Sequence, residues 1–331
     1  MEFVSAALFS DFFGKPVWMW LAFHAVVGLL LAFDLGVLHR DSEKEIGVRE
    51  SVTLSAFYIT LGLLFGAWVW WAIGPQSAQE YLTGFVIEKS LSMDNVFVIA
   101  MIFGFFAIPR AYQYRVLFWG ILAVILLRGL MIAVGAVLVA EFAWLLYVFA
   151  AFLVATGVKM IWAADKQYDV GANPVIRFLQ RHLRVTDQLH KQHFPVRLPD
   201  PKTGRPVLWF TPLFLVLVLV NLADVIFAVD SVPAIFAITT DTFIVYTSNI
   251  FAILGLRALY FALAAMVDRF AYLKYALAAI LIFIGSKIFV ADMLGLAKIP
   301  AGVSLSVTLA ILAAGIGYSL WRTRTAPAVR P

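Results

Sequence analysis

Two stretches of this chain carry acids in the same uncommon arrangement. One reads Glu88-Lys-Ser-Leu-Ser-Met-Asp94-Asn95-Val96, the other Asp224-Val-Ile-Phe-Ala-Val-Asp230-Ser231-Val232. Each is an acid, five residues, an aspartate, a small polar residue and a valine. Carboxylates joined by Asn95, Ser231 and the upstream Asn221 form a hard oxygen donor set. With no cysteine in the chain and no histidine in either stretch, that set suits Mn²⁺, Mg²⁺ or Ca²⁺ rather than Zn²⁺ or Cu⁺. Met93 offers one softer donor, although a methionine in an apolar segment is more often packing. On an ideal helix Glu88 and Asn95 share a face, whereas Asp94 lies about 120° away and about 9 Å along the axis. One straight helix therefore cannot bring both acids to one ion. Either the helix unwinds, or both stretches contribute ligands. Pro233, just after Val232, removes a hydrogen bond from the preceding turn and would free carbonyl oxygens there.

The elements that must position these acids lie in a membrane. Hydrophobic residues make up 63% of the 331 and charged residues 14%, against roughly 25% charged in a soluble domain; the mean hydropathy is +0.92. Nine segments approach the roughly 20 apolar residues that a span requires: about 17–38, 51–73, 81–107, 115–138, 144–163, 212–238, 243–265, 272–294 and 303–321. Loops after odd-numbered segments and the C-terminal tail carry most of the 25 lysines and arginines, while the opposite side holds only Lys15 and Lys298. This bias sets the N-terminus outside and the C-terminus in the cytoplasm. It also accounts for the net charge of +5 without a nucleic-acid partner. Residues Met1–Lys15 include Glu2 and Asp11 and no basic leader, so no cleavable signal peptide is expected.

The acidic match extends downstream. Arg128 corresponds to Arg257, and Gly157-Val-Lys159 to Gly285-Ser-Lys287. Each unit holds three spans, an odd number, so the second must cross the membrane in the opposite sense. The expected fold is thus an all-α polytopic bundle of nine transmembrane helices with two inverted three-helix repeats, the architecture in which transporters hold substrate near the midplane. Its parts are a two-span segment 1–80, a first repeat 81–163, a cytoplasmic loop 164–210, a second repeat 211–294, and a last span with tail 295–331. Inversion predicts facing pairs Glu88–Asp230 and Asp94–Asp224. Arg128, Arg257, Lys159 and Lys287, with Asp34 of the first span, are supporting charges. Arg128 and Arg257 stay protonated and would neutralise carboxylates while no metal is bound. The contrasting reading makes all these charges structural ion pairs, a costly way to gain stability in an apolar interior. A lone His24 is expected to be hydrogen-bonded core.

In the loop, Ile176, Leu179, Leu183 and Leu189 alternate with Arg177, Arg181, Arg184 and Lys191, a pattern for an amphipathic helix on the inner leaflet. His182, Asp187, His190 and His193 could bind a regulatory metal, but a solvated basic face on anionic lipid is the stronger reading. Pro195, Pro199, Pro201, Gly204 and Pro206 mark an extended linker.

Glu88-Lys-Ser-Leu-Ser-Met-Asp-Asn-Val-Phe-Val, Arg115-Val-Leu-Phe-Trp-Gly-Ile, Asp224-Val-Ile-Phe-Ala-Val-Asp-Ser-Val-Pro-Ala-Ile-Phe-Ala-Ile-Thr and Tyr246-Thr-Ser-Asn-Ile-Phe-Ala-Ile-Leu-Gly-Leu-Arg-Ala-Leu-Tyr resemble the TerC family. The nine-span length and Phe33-Asp-Leu-Gly-Val-Leu resemble its Alx-type bacterial members. The resemblance implies a cytoplasmic-membrane protein linked to manganese export and alkaline response, with Glu88, Asp94, Asp224 and Asp230 at the acidic motif positions. A redox-modulating role has also been attached to the family. The expectation is therefore a secondary transporter exporting Mn²⁺ as its cargo, with Mg²⁺ or Ca²⁺ behind it, proton exchange as one coupling route, and lipid as its surroundings. No organic cofactor and no enzymatic activity are expected: the chain has no nucleotide fingerprint and no Ser–His–Asp set. The alternative is a membrane assembly or redox-modulating protein whose buried charges are structural. Oligomeric state is not legible.

Overall fold

The computed structural model describes residues 8–33, 47–162, 174–200, 204–263, 272–295 and 299–324, without the side chains of Val48, Met93, Asp94, Phe97, Val175, Gln180 and Arg324. The expectations for Asp34 and for the side chains of Met93 and Asp94 fall outside the described residues.

The helices are α1 (Val17–Phe33), α2 (Val48–Ala72), α3 (Pro75–Phe105), α4 (Arg110–Glu141), α5 (Leu145–Trp162), α6 (Pro174–His182), α7 (Pro212–Phe236), α8 (Thr242–Leu254), α9 (Leu256–Leu263), α10 (Leu273–Met293) and α11 (Ala301–Arg324). Among the described residues six are long and apolar enough to cross a membrane, or seven if α8 and α9, bent by 40° at Gly255, form one span. Helices satisfy their own backbone groups, which a bilayer interior demands. Connections such as residues 106–109 and 142–144 are short, yet the main packing is between helices distant in sequence. Proline opens α3 at Pro75 and α7 at Pro212, where its missing N–H costs nothing.

Charged side chains of the spans are buried among apolar ones, and the outward surface is apolar. On α4, Leu126, Leu130 and Val134 are exposed at four-residue spacing, while Arg128, Ile132 and Gly135 are buried. The packing pairs α3 with α8, α4 with α7, α3 with α7, and α5 with α10. At the α5–α10 contact a Cβ on Gly157 would lie 2.7 Å from the Ala278 carbonyl oxygen, and one on Gly285 2.5 Å from that of Ala150.

Helix α8 sits at the centre, with every residue from Thr242 to Leu254 buried. Its start is capped by Asp241, whose carboxylate accepts from the N–H groups of Phe243 and Ile244 at 3.0 and 3.3 Å. Lys15, in the small hairpin of β1 (Asp11–Phe12) and β2 (Lys15–Pro16), pairs with the same carboxylate at 2.9 Å.

The stretch expected as an extended linker is instead an antiparallel hairpin of β3 (Pro195–Pro199) and β4 (Pro206–Phe210). The N–H of Asp200 donates to Arg205 at 2.8 Å, which fixes the alternation of the ladder. Pro195, Pro199 and Pro206 consequently fall at positions that donate no cross-strand bond, where proline is tolerated. The turn contains Gly204 with φ +66°. The amphipathic helix is shorter than the pattern suggested. α6 ends at His182, and Ile176 alone of the four apolar residues is fully buried, packed among Leu213 and Val216 of α7.

Candidate functional site

Arg128 projects from α4 into the bundle with 1% exposure. Its Nε and Nη2 donate to the two oxygens of Asp224 at 3.1 and 3.0 Å, a bidentate fork. Its Nη1 donates to Glu88, to the Ser231 hydroxyl at 3.0 Å and to the Asn249 amide oxygen at 3.3 Å. Asn249 in turn donates through Nδ2 to the second oxygen of Glu88 at 3.1 Å. Four helices each contribute to this cluster: α3 Glu88, α4 Arg128, α7 Asp224 and Ser231, α8 Asn249. Asp224 and Ser231 reach one guanidinium because seven residues are close to two full turns. Helices α3 and α7 run unbroken through this region, so convergence between helices, not unwinding, gathers the oxygens. Loss of a donor at Pro233 does not interrupt α7, which continues to Phe236.

Glu88, Arg128 and Ser231 also line a cavity of about 160 Å³ together with Asn95, Asp230 and Met160. That volume is large enough for a hydrated cation, since one water needs only about 10–15 Å³. Asp230, half-buried, accepts a hydrogen bond from Thr156 at 3.3 Å. A smaller void of about 30 Å³ is lined by Asp224, Arg257 and Asn95 among apolar neighbours. Asn95 borders both spaces, is 3% exposed, and its Oδ1 has no hydrogen-bond partner among the described residues.

Of the expected facing pairs, Glu88 and Asp230 border one cavity, while Asp94–Asp224 falls outside the described residues. Glu88 pairs across to Asp224 through Arg128, while Asp230 borders the same cavity as Glu88 but is bonded to Thr156. Among the described residues no three His, Asp or Glu side chains converge as a metal-holding group. Arg257 is buried, with its guanidinium 4.4 Å from the Tyr114 ring centroid. Lys287 is buried and donates to Ser304 at 3.4 Å, whereas Lys159 is exposed. Asn221 folds back onto its own helix, donating to the Leu217 carbonyl at 2.8 Å. In the loop, His182, His190 and His193 each bond to a nearby backbone carbonyl. His24 is bonded on both ring nitrogens, to the Trp20 carbonyl at 2.8 Å and the Tyr246 hydroxyl at 3.0 Å.

Two participants escaped sequence reasoning. Asn249 is one, although an amide within the apolar run Tyr246–Leu256 is a visible signal. Lys89 is the other: its ammonium donates to the Ala252 carbonyl at 3.0 Å, next to the break at Gly255.

An apolar helical bundle with a desolvated charge network defines an integral, multi-pass membrane protein. Residues 73–326 match the model of the integral membrane protein TerC family, and the chain belongs to that family. It is 48% identical over 303 residues to an uncharacterized membrane protein of Rickettsia felis, covering 92% of this chain and 97% of the relative. It is 47% identical over 316 residues to a protein of Escherichia coli (strain K12), covering 93% and 95%; that relative carries the provisional name membrane-bound redox modulator Alx. A Shigella flexneri protein of the same name is 47% identical over 316 residues. No solved structure matches the chain.

Proposed function

We propose that the protein is a secondary transporter exporting a divalent metal cation, with Mn²⁺ as its cargo, from the cytoplasm across the bacterial inner membrane. The observation that carries this reading is a desolvated guanidinium, Arg128, holding two carboxylates from different helices at the edge of a cavity that Asp230 also borders. Ionisable groups at membrane depth are costly and mark ion paths. In this reading Glu88, Asp94, Asn95, Asp224, Asp230 and Ser231 supply oxygens. Arg128 is the resident counter-cation that an entering ion must displace, and displacement by a metal with return of protons gives a coupling route. Asn95, buried with an unsatisfied oxygen between the two spaces, is a ligand suited to handing a cation from one to the other.

The proposed architecture has nine spans, the N-terminus outside, and two three-span units related by inversion, α3–α5 and α7–α10, with α8 and α9 as one bent span. The reciprocal seats of Gly157 and Gly285 on the opposite helix support it. So do the packing of α3 on α8 and of α4 on α7, which a twofold relation would exchange.

A second reading follows from the redox name of the relatives: a modulating or assembly protein in which the network is structural. The two separate in proteoliposomes. Mn²⁺ flux under an imposed proton gradient should be robust for the wild type and lost in Asp230→Asn and Glu88→Gln. Wild-type vesicles that move no Mn²⁺, or neutral variants that move it as well, would sink the transporter reading.

A further inference from the structure

At about 1.5 Å per residue, the 13 residues of α8 span about 20 Å and the eight of α9 about 12 Å. A bent span of that combined length just crosses an apolar core of about 30 Å, so the junction at Gly255 lies inside it. There the last carbonyls of α8 lose their continuing partners, and no water is at hand to satisfy them. The ladder resumes when Leu259 donates to the Gly255 carbonyl at 3.0 Å. In an unbroken helix the Ala252 carbonyl would serve the N–H of Leu256; here it takes the ammonium of Lys89 at 3.0 Å. Lys89 is 9% exposed, and a cation at a helix C-terminus is favoured by the helix dipole. Gly255 makes room for it, because a Cβ there would lie 2.6 Å from Nζ and 3.1 Å from Cβ of Tyr58 on α2.

Lys89 follows Glu88 directly in sequence, and both hold α8. Glu88 accepts from Asn249 at 3.1 Å, and Lys89 donates to Ala252, three residues further along. An ion taken by Glu88 competes with Asn249 for that carboxylate and leaves Lys89 as the other side-chain hydrogen bond joining α3 to α8 among the described residues. We infer that Lys89 is a positioning residue that caps α8 within the membrane and couples occupation of Glu88 to the bend between α8 and α9. This rests on the cation-site reading of Glu88. A bent span with its break beside the ion site is one that can open on one side at a time, and the cap is what holds it closed.

The chain has no cysteine, so Ala258→Cys gives a single reporter just past the bend. The full-length protein in detergent would be labelled with a membrane-permeant maleimide, with and without MnCl₂, and Mn²⁺ binding measured on the same sample by equilibrium dialysis. With Lys89 intact, labelling should be slow and should rise on adding Mn²⁺. In Lys89→Met it should be faster by about tenfold without Mn²⁺, the scale of one lost charged hydrogen bond, and insensitive to added Mn²⁺. Lys89→Arg should restore much of the response. In proteoliposomes Lys89→Met should lower kcat for Mn²⁺ by about tenfold while KM changes by less than about threefold, a split that general destabilisation would not produce. Should Lys89→Met fail to fold, Lys89→Gln, which keeps a neutral donor, must show an intermediate labelling rate. If Met or Gln at this position labels and responds like the wild type, the coupling role is wrong. Absent Mn²⁺ binding by the wild type would overturn the cation-site reading and the coupling with it. Faster metal-free labelling of Lys89→Met would then still uphold the cap.

Discussion

Gly157 and Gly285 occupy reciprocal seats: each brings its own helix against a carbonyl of the other, Ala278 for the first and Ala150 for the second. Because the opposing atoms are backbone, they cannot swing away. Either Gly157→Ala or Gly285→Ala must push α5 and α10 apart, at a cost of about 1–3 kcal/mol. The double variant should cost less than the sum, since one displacement relieves both contacts. Thermal unfolding in detergent, followed by size-exclusion with tryptophan fluorescence, checks both points; full additivity would mean the two seats move independently.

Arg128 forms a fork with Asp224 and serves three further acceptors, a geometry that an ammonium cannot reproduce. Arg128→Lys is therefore expected to destabilise nearly as strongly as Arg128→Ala, which leaves buried carboxylates uncompensated at about 3–5 kcal/mol. Replacing the network together, as Arg128→Met with Glu88→Gln and Asp224→Asn, should recover most of that stability but no Mn²⁺ flux. Recovery of flux in the triple variant would mark the charges as structural.

The acids, Arg128 and the membrane class were legible because charge stands out against an apolar chain, and because Glu88 and Asp224 recur in one pattern. Their connectivity was not legible. Periodicity assigns a face and a depth to Glu88, but which group meets it depends on how four helices rotate about one another. Arg128 was read as neutralising carboxylates, but which two it joins, Glu88 and Asp224, could not be read from spacing. The break at Gly255 was missed for a related reason: Ile253-Leu-Gly-Leu-Arg257 reads as continuous apolar helix, and Lys89, which caps the break, is distant in sequence. Proline-rich residues 195–206 were read as a linker because composition does not show that Pro195, Pro199 and Pro206 share the non-bonding phase of a ladder.

Asp241 and Lys15 meet at 2.9 Å with side chains 24% and 19% exposed, yet they should not matter equally. Asp241 caps α8 by accepting from two backbone N–H groups, so Asp241→Ala should cost about 0.5–2 kcal/mol. The ion pair itself is partly solvated and worth at most about 1 kcal/mol. Lys15→Ala should thus shift the melting temperature less than Asp241→Ala does. Asp241→Asn, which keeps a capping oxygen but loses the charge, should resemble Lys15→Ala.

If Mn²⁺ is the cargo, the purified protein must be stabilised by it, because a ligand that binds only the folded state adds about 2.7 kcal/mol at a hundredfold excess over Kd. The rise in melting temperature should be reversed by a chelator and reproduced less well by Mg²⁺ or Ca²⁺. It should vanish in Asp230→Asn, whose carboxylate borders the cavity without belonging to the Arg128 network. That variant is the informative one. Glu88→Gln and Asp224→Asn alter the fold's own ion pairs as well as any metal site, so loss of a Mn²⁺ shift there has two explanations. Asp230 accepts one long hydrogen bond, from Thr156 at 3.3 Å, and replacing it should leave the metal-free melting temperature within about 1 kcal/mol equivalent of the wild type. An unchanged Mn²⁺ shift in Asp230→Asn would exclude Asp230 as a ligand of the bound cation.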